Sequence, residues 1–137
     1  MKTLRTLLAS LGFGKKSGQI ASDQTNLIPI DRYVYENKHH LLEDAEHQLH
    51  KVDERHEKIV SASNSLKDPS LEIDKVQREL VEIDRLRHLF LQRTDDISNS
   101  IPETWETVKK EGKVVNDALL SALARAERLL GLPVGEG

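Results

Sequence analysis

The chain has no cysteine and few aromatic residues, and both absences narrow the classes of protein to which it can belong. Without cysteine it has neither a disulfide framework nor thiolate chemistry. Aromatic side chains make up 4% of the 137 residues, so the core must be aliphatic, which suits helix interfaces better than sheets. No hydrophobic run approaches the roughly 20 residues that a membrane-spanning helix needs. We therefore expect a single all-α domain that does not cross a membrane.

An excess of positive charge is also missing. The formal net charge is -3, whereas binding to nucleic acid requires clustered Lys and Arg, so no nucleic-acid partner is expected. A charged fraction of 31% beside a hydrophobic fraction of 37% is typical of long helices that face solvent. Residues 1–16, MKTLRTLLASLGFGKK, are the exception, because they contain four cations and no acid.

Boundary signals predict three helices, at about residues 31–66, 69–99 and 101–130. The signals at the helix starts are a capping aspartate, an aspartate followed by proline, and a capping box. In chain order they are Asp31, then Asp68 with Pro69, then Ser100 with Glu103. At the last stop Gly131 can adopt the left-handed conformation, Leu132 can close a Schellman motif, and Pro133 prevents continuation.

The apolar residues of each predicted helix recur at alternating steps of three and four. In the first helix the pattern is weaker, because three of its positions are polar: the seam is Val34, Lys38, Leu41, Ala45, Leu49, Val52, His56, Ile59, Ser63 and Leu66. Such seams pack helices at shallow angles, and short connections make consecutive helices antiparallel. The sequence therefore predicts an all-α fold: an elongated up-down-up three-helix bundle with coiled-coil-like packing over residues 31–130, followed by a C-terminal tail over 131–137.

Some apolar residues lie outside these seams. They are Val81, Leu89, Leu120 and Leu123. One interpretation is a wide core-facing arc that two neighbouring helices share. The other is a second interface, used for self-association or for a partner helix.

Five of the six histidines lie in the segment HHLLEDAEHQLHKVDERHEKI, residues 39–59. At 100° per residue, His39, His40, His47 and His50 fall on the polar face and only His56 on the apolar side. Residues three or four apart on that face could share a metal ion. The candidate ligands are His40, Glu43, His47 and His50. Two alternatives remain: ordinary solvated side chains, or a proton switch in which Glu43–His47 and Glu46–His50 pairs favour charged imidazole.

Residues 1–12 are predicted to form a short amphipathic helix, joined to the bundle by a flexible linker over residues 13–30. Its apolar stripe consists of Leu4, Leu7, Leu8 and Leu11, and its cations are Lys2 and Arg5, with Lys15 and Lys16 following. Such a helix could lie on an anionic membrane, dock in a partner's groove, or cap one end of the bundle.

No arrangement of residues in the sequence indicates catalysis, and no cofactor is expected. We expect a non-enzymatic helical interaction or assembly protein that forms homo- or hetero-oligomers, with its N-terminal helix as the element that attaches it to a partner protein or to a membrane surface. The alternatives are a structural or scaffolding component of a particle such as a virion, and a metal-binding helical protein that uses the histidine face. The expected location is cytoplasmic, either as a peripheral membrane protein, as part of a particle or free.

Overall fold

The computed structural model describes residues 28, 30–66 and 71–135. Two short 3₁₀ turns, Ile30–Arg32 and Tyr35–Asn37, precede three α-helices. The helices are α1 (Lys38–Asn64), α2 (Leu71–Ser98) and α3 (Trp105–Leu130), and they pack against one another. Within these described residues there is no β-strand, so the predicted all-α class with three packed helices is confirmed.

Helix α1 begins at Lys38 rather than at the predicted Asp31. The residues between them form 3₁₀ turns instead of continuing the helix. The ammonium group of Lys109, on α3, donates a hydrogen bond to the backbone carbonyl of Tyr33 at 3.0 Å. A contact from another helix therefore helps to fix this segment, and no local capping signal in the sequence could reveal that contact.

The segment before α1 also belongs to the core. Ile28, Ile30 and Tyr33 are each less than a tenth exposed. The core therefore includes Ile28 and Ile30, which the sequence analysis had assigned to the flexible linker. The Tyr33 hydroxyl donates a hydrogen bond to the carboxylate of Asp44 on α1. Burial, reinforced by this hydrogen bond and by the negative charge of Asp44, raises the pKa of Tyr33 above its ordinary value.

The predicted capping box at the third helix does not form. The Ser100 hydroxyl donates to the backbone carbonyl of Ile97 at 2.7 Å, so this side chain completes the end of α2 rather than the start of α3. Helix α3 begins at Trp105, after Thr104 in the N-cap position. The capping box failed as a prediction because residues 102–104 form a turn and α3 begins five residues after Ser100.

The predicted stop of the last helix is confirmed. Gly131 adopts a φ of 71°, in the left-handed region that glycine tolerates best. The Leu132 backbone N–H donates to the Glu127 carbonyl at 2.9 Å, and the Gly131 N–H donates to the Arg128 carbonyl at 3.2 Å. These two bonds are those of the Schellman motif.

Two predicted features lie outside the described residues. They are the N-terminal helix over residues 1–12, with most of the linker that follows it, and the Asp68–Pro69 start of the second helix.

The order of the contacts gives the directions of the three helices. Residues late in α2 contact residues early in α1 and α3, whereas residues early in α2 contact residues late in both. Residues of α1 and α3 meet in the same order along the two helices. Helix α2 is therefore antiparallel to the other two, which are parallel to each other.

The interface between α2 and α3 is the most extensive of the three. Gly112 lies at this interface, and a Cβ atom built on it would stand 3.3 Å from Cδ1 of Ile97. That distance is tighter than ordinary van der Waals contact, so the absence of a side chain at Gly112 lets the isoleucine pack against the α3 backbone.

The interface between α1 and α3 contains buried polar pairs. Gln48 donates to the Asn116 side-chain oxygen at 2.7 Å, and both residues are at most 2% exposed. Further along, Arg55 makes two hydrogen bonds to the Glu127 carboxylate, at 2.9 and 2.6 Å, and this ion pair is also buried. The backbone N–H of Gly135 donates to the same carboxylate at 3.1 Å, so the chain after α3 returns to the pair.

These pairs correct the predicted seam of α1. The pattern assigned Leu49 and His56 to the core, but both are only partly buried. Gln48 and Arg55, one position earlier in each case, are buried instead. The hydrophobic part of the core is aliphatic and aromatic, and includes Leu41, Val52, Ile59, Val76, Ile83, Phe90, Ile97, Trp105, Leu119 and Leu123.

Candidate interaction surface

An open groove of about 460 Å³ runs between α1 and α2. Its apolar lining comes from Leu42 and Leu49 on α1 and from Phe90 and Leu91 on α2. Leu42 and Leu49 are half-buried, and Leu91 is 41% exposed. Side chains that are seven residues apart on a helix lie about 10.5 Å apart along its axis, so the groove is about two helical turns long.

The groove lies between two polar contacts that join α1 to α2. At one end, the ammonium group of Lys38 donates to the backbone carbonyls of Ser98, which lines the groove, and of Ser100, at 3.2 and 2.8 Å. Beyond the other end, Arg87 donates two hydrogen bonds to Asp53, at 2.8 and 3.0 Å, and these bonds raise the pKa of the guanidinium. Both cations are therefore engaged with acceptors at the ends of the groove, and neither cation lines it.

The charged residues that line the groove are acidic. Glu43 and Glu46 are exposed on α1, and Asp95 is exposed on α2. No Lys or Arg is among the described residues that line the groove. The arrangement is an apolar floor with carboxylates along both sides, which attracts a ligand that is both apolar and cationic.

The residues predicted to form a second interface are not all at the surface. Val81 is 72% exposed on α2, whereas Leu123 is fully buried in the core, which rules it out as part of an exposed patch. Leu89 and Leu120 are partly buried and pack against the core. For these three leucines the wide core-facing arc is the better interpretation.

The predicted attachment residues Leu4, Leu7, Leu8, Leu11, Lys2, Arg5, Lys15 and Lys16 lie outside the described residues.

The histidine face is exposed, as its helical position indicates: His39, His40, His47 and His50 all lie on the outside of α1. His40 is 3.5 Å from Glu43, and His50 is 3.4 Å from Glu54. The ion-pair partners predicted for the proton switch were Glu43 with His47 and Glu46 with His50, and neither of those pairs forms.

A metal site needs more ligands than this face provides. Over residues 28, 30–66 and 71–135, no three side chains of His, Asp or Glu come together as a metal site would require. His40, Glu43, His47 and His50 are therefore not gathered around a common centre.

The groove itself was not anticipated from the sequence. The available signal was the pair Leu42 and Leu49, which are seven residues apart, but the predicted seam had assigned Leu49 to the core. The α2 side had no comparable signal, because Leu91 follows directly after the core residue Phe90. Only the packing of α1 against α2 brings the two apolar surfaces together.

Comparison with known protein families, with curated proteins and with solved structures finds no match. Among the described residues, none of the helices has the length and hydrophobicity needed to cross a membrane.

Proposed function

We propose that this chain is a non-enzymatic helical interaction protein that assembles with other chains, with residues 1–16 as an attachment element. The observation that supports this proposal is the apolar, carboxylate-flanked groove between α1 and α2. Grooves between helices bind the apolar face of an amphipathic helix, which inserts side chains spaced three, four and seven residues apart. The groove would receive such a helix from a partner, with cations on the flanks of its apolar stripe.

We further propose that the three helices form an elongated up-down-up bundle with coiled-coil-like packing. The helices contain 27, 28 and 26 residues, which corresponds to lengths of about 40 Å. Buried side chains also repeat at heptad spacing: Gln48 and Arg55 on α1, and Lys109 and Asn116 on α3. A long bundle of this kind offers long grooves between its helices, which suits an assembly role.

The test is a comparison of two substitutions that change an exposed apolar residue to lysine. Leu91→Lys places a cation in the groove, and Val114→Lys makes the same change on α3, where the side chain is 68% exposed and does not line the groove. Each variant is expressed in its native source, cross-linked and affinity-purified. Native mass spectrometry then gives the mass of the isolated protein. The Leu91 variant should lose the associated chain, and the Val114 variant should keep it.

Retention of the same associated chain by both variants would contradict the role of the groove. Val81→Lys serves as a third arm, because Val81 is exposed on α2 away from the groove. Loss of association in this variant alone would show that the interface includes Val81 and not the groove.

A further inference from the structure

The groove between α1 and α2 has a candidate occupant within the same chain. We propose that residues 1–16 pack into this groove as a fourth helix, in the same molecule. This inference rests on the proposed function, since it uses the same groove, and it specifies which helix fills the groove of the free protein.

The spacing of apolar side chains matches on the two sides. Leu4 and Leu11 are seven residues apart, as are Leu42 and Leu49 in the groove. If residues 4–11 are helical, both pairs lie about 10.5 Å apart along their helix axes. Leu7 and Leu8 fall between the two outer leucines and would meet Phe90 or Leu91 on the floor of the groove. Steps of three and four are those by which helices interlock in bundles.

The charges of the segment and of the groove are complementary. Residues 1–16 contain four cations and no acid, and the first carboxylate of the chain is Asp23. The groove contributes Glu43, Glu46 and Asp95. Exposed pairs of this kind add little affinity individually, about 0–1 kcal/mol each, but they favour this groove over a basic or neutral one.

The connection between the segment and the groove is long enough. Ile28, the first described residue, lines a small cavity together with Ala45, Phe90 and Thr94. Those three residues also line the groove, so the described chain begins beside it. The chain between Lys16 and Ile28 can extend over about 40 Å at most, which is several times the diameter of a helix.

This tether favours docking within one molecule over docking between two. A connection of this length between a segment and its site holds the segment at an effective concentration in the millimolar range. A second copy of the chain would need a comparable concentration in solution to compete. Docking between copies is therefore an outcome that the experiment must distinguish, and docking within one molecule is the expected result.

A consequence concerns the attachment role of residues 1–16. While the segment lies in the groove, its leucines are covered, and it cannot bind a membrane or another protein with the same face. A partner helix that enters the groove would displace the segment and expose it. The two binding events would then be coupled, and by linkage each would favour the other.

The absence of cysteine allows a direct test by disulfide cross-linking in the full-length chain. One variant combines Leu8→Cys with Leu91→Cys in the groove. The control combines Leu8→Cys with Val114→Cys on α3. Val114 is more exposed than Leu91, and its neighbours Lys113 and Asn116 line a pocket together with Ile28, so a segment without a preferred position would reach it as easily.

Both variants are oxidised at low protein concentration and analysed by mass and by non-reducing electrophoresis, with circular dichroism to confirm folding. We expect about tenfold more intramolecular disulfide in the groove pair than in the control pair, because tenfold preference requires only about 1.4 kcal/mol. Adding Glu43→Lys and Glu46→Lys to the groove pair should reduce its yield. Adding Glu111→Lys, an exposed change on α3, should leave the yield unchanged.

Equal yields in the two pairs, or no disulfide in either, would overturn the inference. So would a disulfide of the groove pair that forms only between molecules and increases with protein concentration. That last result would leave the proposed function standing, with the groove as a site for a helix from another chain. The proposed function fails separately, if Leu91→Lys leaves the associated chains unchanged.

Discussion

The interface between α2 and α3 and the interface between α1 and α3 are built from different chemistry. In the first, Gly112 lacks a side chain and Ile97 packs directly against it. In the second, Gln48 meets Asn116 and Arg55 meets Glu127, so hydrogen-bonded polar groups lie where apolar side chains would be expected. The α2–α3 contact is also the more extensive one.

This difference in chemistry determines how much stability the protein loses when a residue of each interface is substituted. An apolar contact loses stability roughly in proportion to the volume removed. A buried ion pair loses much more when one partner is removed, because the other charge then stays buried without compensation. Replacement of both partners by apolar residues can nevertheless be neutral. The interface of α1 is therefore easy to break with one substitution and easy to repair with a second.

The largest effect is expected from Glu127→Ala, which leaves the Arg55 guanidinium buried without its partner. The free energy of unfolding should fall by about 3–5 kcal/mol. Urea unfolding followed by circular dichroism measures it. The control is the double variant Arg55→Met with Glu127→Leu, which should recover most of the loss. A decrease below about 1 kcal/mol for Glu127→Ala, the value of a surface pair, would show that the ion pair is not buried.

The next largest effect concerns the α2–α3 interface. Ile97→Ala removes a side chain that is 4% exposed and in contact with Gly112, and should cost about 3 kcal/mol of unfolding free energy. Ile101→Ala is the matched control, because the same change is made where the side chain is 52% exposed. It should stay within about 0.5 kcal/mol of the unchanged protein. Equal losses in both variants would remove the distinction between core and surface on which the comparison depends.

A third effect depends on pH and concerns the segment that precedes α1. Because the pKa of Tyr33 is raised in the folded chain, its neutral form contributes stability that is complete below the ordinary tyrosine pKa of about 10 and is lost as the pH rises above it. Between pH 10 and 11 the unfolding free energy should fall by about 1 kcal/mol more in the unchanged protein than in Tyr33→Phe, because the unfolded tyrosine is only half ionised at pH 10. Urea titrations at each pH measure both slopes, and parallel slopes would contradict the assignment.

Local signals in the sequence predicted the features that depend on a few neighbouring residues. The stop at Gly131 is one such feature, since the glycine, Leu132 and Pro133 are adjacent in the chain. The outward position of the four histidines is another, because the helix repeat alone determines it. For Ser100 the local signal was ambiguous between two helix ends, and the prediction chose the wrong one.

Features that depend on distant residues could not be predicted. Arg55 and Glu127 are 72 positions apart, and no local pattern in the sequence indicates that their side chains meet. The predicted seam of α1 was consequently wrong at two positions, where it assigned Leu49 and His56 to the core in place of Gln48 and Arg55. The groove escaped prediction for the same reason, because its two walls come from different helices.

The smallest effect tests how tightly the α2–α3 interface is packed. Gly112→Ala should gain up to about 1 kcal/mol in helix propensity, but the new Cβ would lie 3.3 Å from Cδ1 of Ile97, which must move by a few tenths of an ångström. The two contributions nearly cancel, so we expect little net change in the unfolding free energy. The change Ile97→Val removes that Cδ1 atom and costs about 1 kcal/mol by itself.

In the Ile97→Val background the same Gly112→Ala change should be stabilising, since no atom then opposes the new methyl group. The four proteins form a double-mutant cycle, and urea unfolding of each gives a coupling energy of about 0.5–1 kcal/mol. A coupling energy near zero would mean that the isoleucine accommodates the methyl group without strain. The absence of a side chain at Gly112 would then contribute nothing to the packing of α2 against α3. The contrast between the two interfaces would depend only on the buried ion pair and amide pair of α1.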